Sequence, residues 1–147
     1  MPLTFPDSPD GTLNIHASCV CVQGRGVLIC GATGSGKSAL ALHLMALGAD
    51  LVADDRTIVT KTGDVLTATA PAAIRAMIEA RGIGILNARA TQAAVHLCVD
   101  LDTTEAERLP PLRSVSVLGH AIPLLHRVPY DHFGAAILQI LKHGRHS

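Results

Sequence analysis

Eight consecutive residues, Gly31-Ala32-Thr33-Gly34-Ser35-Gly36-Lys37-Ser38, fill every fixed position of the pattern G-x-x-x-x-G-K-[ST]. The glycines let the backbone curl round an anion with successive N–H groups pointing inward. A helix beginning near Lys37 adds its positive dipole end. Lys37 is the residue type that reaches the outer phosphates of a nucleotide, and the Ser38 hydroxyl suits Mg²⁺. A second chemical signal follows, where Asp54 and Asp55 close an apolar run. Adjacent carboxylates of this kind can divide labour, one supporting Mg²⁺ and the other accepting a proton from an attacking hydroxyl. Read blandly, they are two solvated turn residues.

The elements that must position these groups follow from the pattern of apolar residues. Residues 1–14 are rich in Pro and Asp and predict an extended lead-in, with a single domain from residue 15 to residue 147. Ile15 to Val22 predicts one strand. Val27 to Cys30 is a short continuous apolar run of the kind a buried strand uses. The Gly-rich loop comes next, then a helix over Ser38 to Leu47, apolar almost all round and stopped by Gly48. "LVA" predicts the strand that delivers Asp54 and Asp55. "TIVTKTGDVLTAT" predicts a hairpin around Thr62-Gly63-Asp64. Pro71 is placed to open a short helix through Arg81, with Ile74, Met77 and Ile78 on its buried face and "RGIGIL" ending it. Ala94 to Leu101 predicts a further strand, and "DTTEAERLPP" a surface loop. "RSVSVLGHAIPLL" predicts a second hairpin turning at Gly119-His120, and Asp131 to Lys142 a final helix. The class is α/β, a mixed sheet with flanking helices.

Composition narrows the function. The chain has 147 residues, a formal net charge of zero, two Phe, one Tyr and no Trp. A neutral chain without a basic stripe or a set of stacking aromatics argues against nucleic acid and anionic membrane as partners. No apolar run reaches membrane-spanning length, because Asp50, Asp54 and Asp55 interrupt the best stretch. The N-terminal residues lack the charged and apolar regions of a signal peptide. Cys19, Cys21, Cys30 and Cys98 form no C-x-x-C pair and read as small core hydrophobes of a cytoplasmic protein. No N-K-x-D signature is present, which counts against a GTPase. No Arg-rich lid segment is evident, which counts against a small-metabolite kinase.

A His-containing strand, "GATGSGKS", a helix ending in Gly, "LVADD" and then "IEARGIGI" resemble, in that order, the catalytic domain of the HPr kinase/phosphorylase family. The last stretch is similar to that family's E-x-R-G-[LI]-G signature. The resemblance implies a phosphate-loop kinase domain that uses ATP and Mg²⁺ to phosphorylate a serine of HPr, the phosphocarrier of the bacterial sugar phosphotransferase system. It implies roles for residues that the pattern alone leaves open. His16, otherwise a core or edge-strand histidine, matches the active-site histidine. Lys37 matches the loop lysine and Ser38 a Mg²⁺ ligand. Asp55 matches the proton acceptor, with Asp54 beside it. Glu79, otherwise a solvated helix residue, matches a second Mg²⁺ ligand. Arg108 in "EAERLP" is aligned with an active-site arginine.

The sequence also departs from the family pattern. Only about a dozen residues precede the region of resemblance, where the usual family member has a further domain. The segment after "RGIGIL" is short, with Arg89 as its one cation. A late Arg/Gly loop linked to dephosphorylation is replaced by "HRVPYDHF", which brings in Asp131. The chain thus resembles the short alphaproteobacterial form, for which weak phosphorolysis is expected. Full-length relatives are hexamers, which leaves a homo-oligomer as an assembly to test. Two other readings stay open. One is a regulatory module that senses a nucleotide without transferring phosphate, and the other is a kinase of small molecules.

Overall fold

The computed structural model describes residues 2–147. Its strands are β1 (Thr12–Ile15), β2 (Ala17–Val22), β3 (Arg25–Cys30), β4 (Asp50–Ala53), β5 (Thr57–Thr62), β6 (Val65–Thr69), β7 (Met77–Ala80), β8 (Gly84–Asn87), β9 (Ala93–Thr104), β10 (Arg113–Val117) and β11 (His120–Arg127). The helices are α1 (Lys37–Ala46) and α2 (Phe133–His143), with a single 3-10 turn over Ala72–Ile74. Nine strands form one mixed sheet in the order β1-β5-β6-β9-β3-β2-β4, and β11 and β10 extend it from β9. β7 and β8 form a separate two-stranded hairpin.

Strand direction sets the position of the site. β3 runs parallel to β9, and β9 parallel to β11. β2 is antiparallel to both β3 and β4, so β4 points the same way as β3. Four strands therefore end on one rim, and open α/β sheets bind ligands outside such carboxyl ends. β3 alternates along its length: Val27 and Ile29 face the layer holding α1 and α2, while Leu28 and Cys30 face the opposite core. This is the period-two alternation of a strand buried on both faces.

Several expectations are corrected. The stretch Ile15 to Val22 is not one strand, because the chain bends at His16 and divides it into β1 and β2. The sheet begins inside the stretch read as a lead-in, where Thr12, Leu13 and Asn14 pair with β5. α1 buries only one face, through Lys37, Ala41 and Leu44, and Leu47 at its end is exposed. The second hairpin turns one residue earlier than expected, at Leu118-Gly119, since Val117 pairs with His120. Both turn residues have positive φ, 49° and 83°, as a two-residue hairpin turn requires.

The largest correction concerns Pro71 to Arg81, which is not a helix. After the 3-10 turn Ala76 adopts φ 62°, and Met77–Ala80 run extended against Gly84–Asn87. A short apolar segment satisfies helix and strand spacing alike. Here the strand period wins, burying Ile78 and Ala80 and leaving Glu79 exposed between them. The first hairpin (Thr62 paired with Val65), the strand before the phosphate loop and the C-terminal helix form as expected.

Candidate active site

Cys30 ends β3 and the phosphate loop leaves the sheet at Gly31. A side chain at Gly31 would crowd Ser35 and Leu101 at the root of the loop, so glycine leaves the loop room to close. Gly36 caps α1 at φ 104°, a left-handed conformation natural only to glycine. Lys37 is 6% exposed, and its ammonium donates to the carbonyls of Gly31 (2.9 Å) and Ala32 (3.2 Å). Those two bonds fix the charge at the mouth of the loop. An ammonium has three protons, so one remains for an anion.

Beside the loop, β4 delivers two carboxylates with contrasting surroundings. Asp54 is 7% exposed. Its Oδ1 accepts from Ser18 Oγ (2.9 Å) and Ser38 Oγ (2.6 Å), and its Oδ2 accepts from the Glu79 amide (2.9 Å). Asp55 is exposed and sits at φ 66°, a strained conformation for a residue with a side chain. Its amide donates to Ser18 Oγ (3.1 Å), and His16 Nε2 lies 2.8 Å from its Oδ1. The bend at His16 is what brings the imidazole there. Glu79 reaches the site from β7, and strand geometry is required for this. A helical Glu79 would give its amide to the carbonyl four residues back, and Asp54 would lose a donor.

Lys37, Ser38, Asp55 and Glu79 open onto a cavity of about 390 Å³, lined also by Gly36 and Arg81 among others. A basic loop, an exposed carboxylate with a histidine partner and oxygen donors on facing elements suit phosphoryl transfer to a hydroxyl. The donor set also fits Mg²⁺. Asp54 is a buried carboxylate with hydrogen-bond donors but no cationic side chain against it among the described residues. Mg²⁺ is held by one or two carboxylates together with phosphates and water rather than by an all-protein cage. Consistent with that, no group of three or more His, Cys, Asp or Glu among the described residues could hold a metal unaided.

Of the residues singled out in the sequence, His16, Gly31 to Ser38, Asp54, Asp55 and Glu79 come together on this rim. Arg108 does not join them; it is exposed in the loop after β9, outside the residues lining the cavity. Arg89, the one cation of the segment after "RGIGIL", does not join them either. Arg89 lies outside the cavity, Arg81 lines it, and the Arg127 guanidinium donates to the Ser35 carbonyl (3.0 Å). Sequence reasoning missed two further groups. Ser18 is the one hydroxyl in an otherwise apolar β2, and that anomaly was its signal. Asp102, assigned to a surface loop, lies within the last residues of β9 and receives the Ala32 amide on both carboxylate oxygens (3.1 and 3.0 Å). Buried Asp100 in turn accepts the Asp102 amide (2.9 Å). The sequence "VDLD" at the end of an apolar strand was the legible signal.

The model of the HPr serine kinase C-terminal domain matches residues 11–108. The chain belongs to this family. Among curated relatives, the HPr kinase/phosphorylase of Caldanaerobacter subterraneus is 49% identical over 78 residues, covering 52% of this chain and 26% of that protein. The Chloroherpeton thalassium protein of the same name is 36% identical over 128 residues, covering 75% of this chain and 36% of its own length. The chain thus spans about a quarter to a third of the curated relatives it matches. The solved HPr(Ser) kinase/phosphatase of Coxiella burnetii superposes with a TM-score of 0.71 at 25% identity, covering 88% of both chains. The matched stretch of the family model contains the loop, both aspartates, Glu79 and Asp102. Arg127 and α2 lie beyond it. No helix among the described residues is long and apolar enough to cross a membrane.

Proposed function

We infer that this domain is an ATP-dependent kinase that phosphorylates a serine of HPr in the cytoplasm. The observation that carries the reading is the shared cavity: Lys37, Ser38, the exposed Asp55 carboxylate and Glu79 all open onto it. Family membership and the names of the relatives support the substrate.

In this reading the phosphates of ATP lie on the amides from Gly34 to Ser38, with Lys37 against the outer two. The serine oxygen attacks the γ-phosphorus and its proton passes to Asp55. The new P–O bond forms as the bond to the ADP oxygen breaks, and ADP leaves. His16, 2.8 Å from Asp55, orients that carboxylate by donating Nε2–H to it. Ser38, Asp54 and Glu79 would hold Mg²⁺, which supplies neutralisation of the phosphate charge when bound. The chain's own contribution is position and electric field, which carry most of the rate in phosphoryl transfer.

The test is incubation of the purified protein with HPr and γ-labelled ATP in the presence of Mg²⁺. Acid-stable phosphoserine on HPr is expected. Nucleotide binding without transfer would replace the kinase with a sensing module. Transfer only to a small molecule would replace the protein substrate.

A further inference from the structure

The phosphate loop has a second open side. On the flank away from Asp55 and Glu79 lies a groove of about 600 Å³, within the size range of small-molecule sites. Its walls are the first turns of α1, including Gly36, Ala39 and His43, and the loop from β11 to α2, including Arg127, Tyr130 and Asp131. Gly36 and Ala39 line this groove and the first cavity alike, so the two meet at the N-terminus of α1.

We propose that this groove holds the nucleoside end of the nucleotide, with Tyr130 as the stacking surface for the base. This deepens the kinase reading and rests on its placement of a nucleotide on the loop. Three observations carry the assignment. First, the cavity holding Lys37 and Asp55 joins the groove across Gly36 and Ala39, so a polyphosphate with its outer end at the Lys37 ammonium and Asp55 has its path inward along the first turn of α1 into the groove. The acidic flank is occupied by groups suited to a metal and an acceptor hydroxyl, so the nucleoside leaves by the other. Second, β11 lies in parallel beyond β9, and its carboxyl end sits on the same rim as the loop. The Arg127 bond to the Ser35 carbonyl ties that end to the loop, which fixes the groove's two walls against each other. Third, the chain has only two Phe and one Tyr. Phe133, the first residue of α2, borders the groove but is buried, and Phe5 packs on the far core, whereas Tyr130 is 68% exposed. Its ring stacks on His132, with centroids 5.9 Å apart and planes inclined by 16°. An aromatic face held beside a phosphate site is what a planar base needs.

Asp131 adds a preference. A carboxylate only accepts hydrogen bonds, so it favours a base that carries an exocyclic amino group. The replaced late loop of the family pattern thereby acquires a role in holding substrate.

The experiment titrates the parent protein, Tyr130→Ala and Tyr130→Phe with ATP and with inorganic tripolyphosphate, both with Mg²⁺. Tyr130→Ala should weaken ATP binding about tenfold and leave tripolyphosphate unchanged, because only ATP carries a base to stack. Tyr130→Phe keeps the ring and should bind ATP like the parent. Unchanged ATP affinity in Tyr130→Ala would overturn the proposal, as would equal loss of both ligands. A parent that binds neither ligand overturns this proposal and the kinase reading together. Tyr130-dependent ATP binding with no transfer to HPr sinks only the kinase reading and upholds the nucleoside groove.

Discussion

The two flanks of the phosphate loop are built on different principles. On the inner flank, Asp54 is buried and receives hydrogen bonds from β2, α1 and β7, three separate elements. On the outer flank, Tyr130 and Asp131 stand exposed on a connection between β11 and α2, held to the loop through Arg127. The first is over-determined and the second is adaptable. Chemistry demands the former, since a misplaced carboxylate costs rate, whereas recognition of a base tolerates a loop. The same contrast separates the two aspartates. Asp54 accepts three hydrogen bonds in the interior, whereas the exposed Asp55 carboxylate has His16 as its one side-chain partner among the described residues.

Lys37→Ala should widen the contrast most. Arg127 is bonded to the Ser35 carbonyl and Arg81 stands beyond β7, so neither takes the place of the ammonium held by the Gly31 and Ala32 carbonyls. Transfer to HPr should fall about a thousandfold, measured as initial rate with saturating HPr. A near-parent rate would remove the inner flank from the chemistry.

Asp54→Ala should show that the hydrogen bonds gathered on Asp54 are structural as well as electrostatic. Ser18, in the interior, and Ser38 and the Glu79 amide, half-buried, all lose their acceptor. A loss of about 2 kcal/mol in urea unfolding is expected, with the m-value unchanged. Asp55→Asn, on the exposed neighbour, tolerates the positive φ and should leave stability within about 0.5 kcal/mol. Equal losses for the two would erase the distinction between them.

Glu79→Gln should raise the Mg²⁺ concentration for half-maximal transfer about tenfold, because an amide is a weaker ligand for a hard cation. An unchanged titration would make Glu79 a solvated strand residue.

The smallest effect belongs to the sheet beneath the loop. Burial pushes the Cys30 thiol up to about 12, and raises Cys19 and Cys98 as well. A raised thiol pKa means less thiolate at neutral pH, and the thiolate is the nucleophile. Native protein should therefore resist alkylation at these three positions and react at them only after unfolding. Rapid native labelling at Cys30 would mean that the loop's base opens to solvent.

Much of this arrangement was legible in the residues. "GATGSGKS" between an apolar strand and a helix, and "LVADD" at a strand end, are local signals whose neighbours in space are also neighbours in sequence. The hairpin at Gly63-Asp64 is equally local. What was not legible depends on distant partners. Glu79 fits a helix in the sequence because Ile74, Met77 and Ile78 suit either period; only β8 and the Asp54 carboxylate decide for the strand. Asp102 looks like loop charge until β9 runs past Leu101 to meet the Ala32 amide. Arg127 looks like part of a replaced segment until β11 brings it to Ser35. Arg108 enters by resemblance alone, and its loop leaves it outside the cavity.

The central claim is that Asp55 takes the proton while the rest of the site holds the nucleotide. Its most direct test is Asp55→Asn, which keeps the shape of the side chain and the His16 contact but cannot accept a proton. Nucleotide affinity should match the parent, and phosphoserine formation on HPr should fall by about two to four orders of magnitude. Parent-like transfer by Asp55→Asn would contradict the account and shift the proton acceptor to another group on the rim.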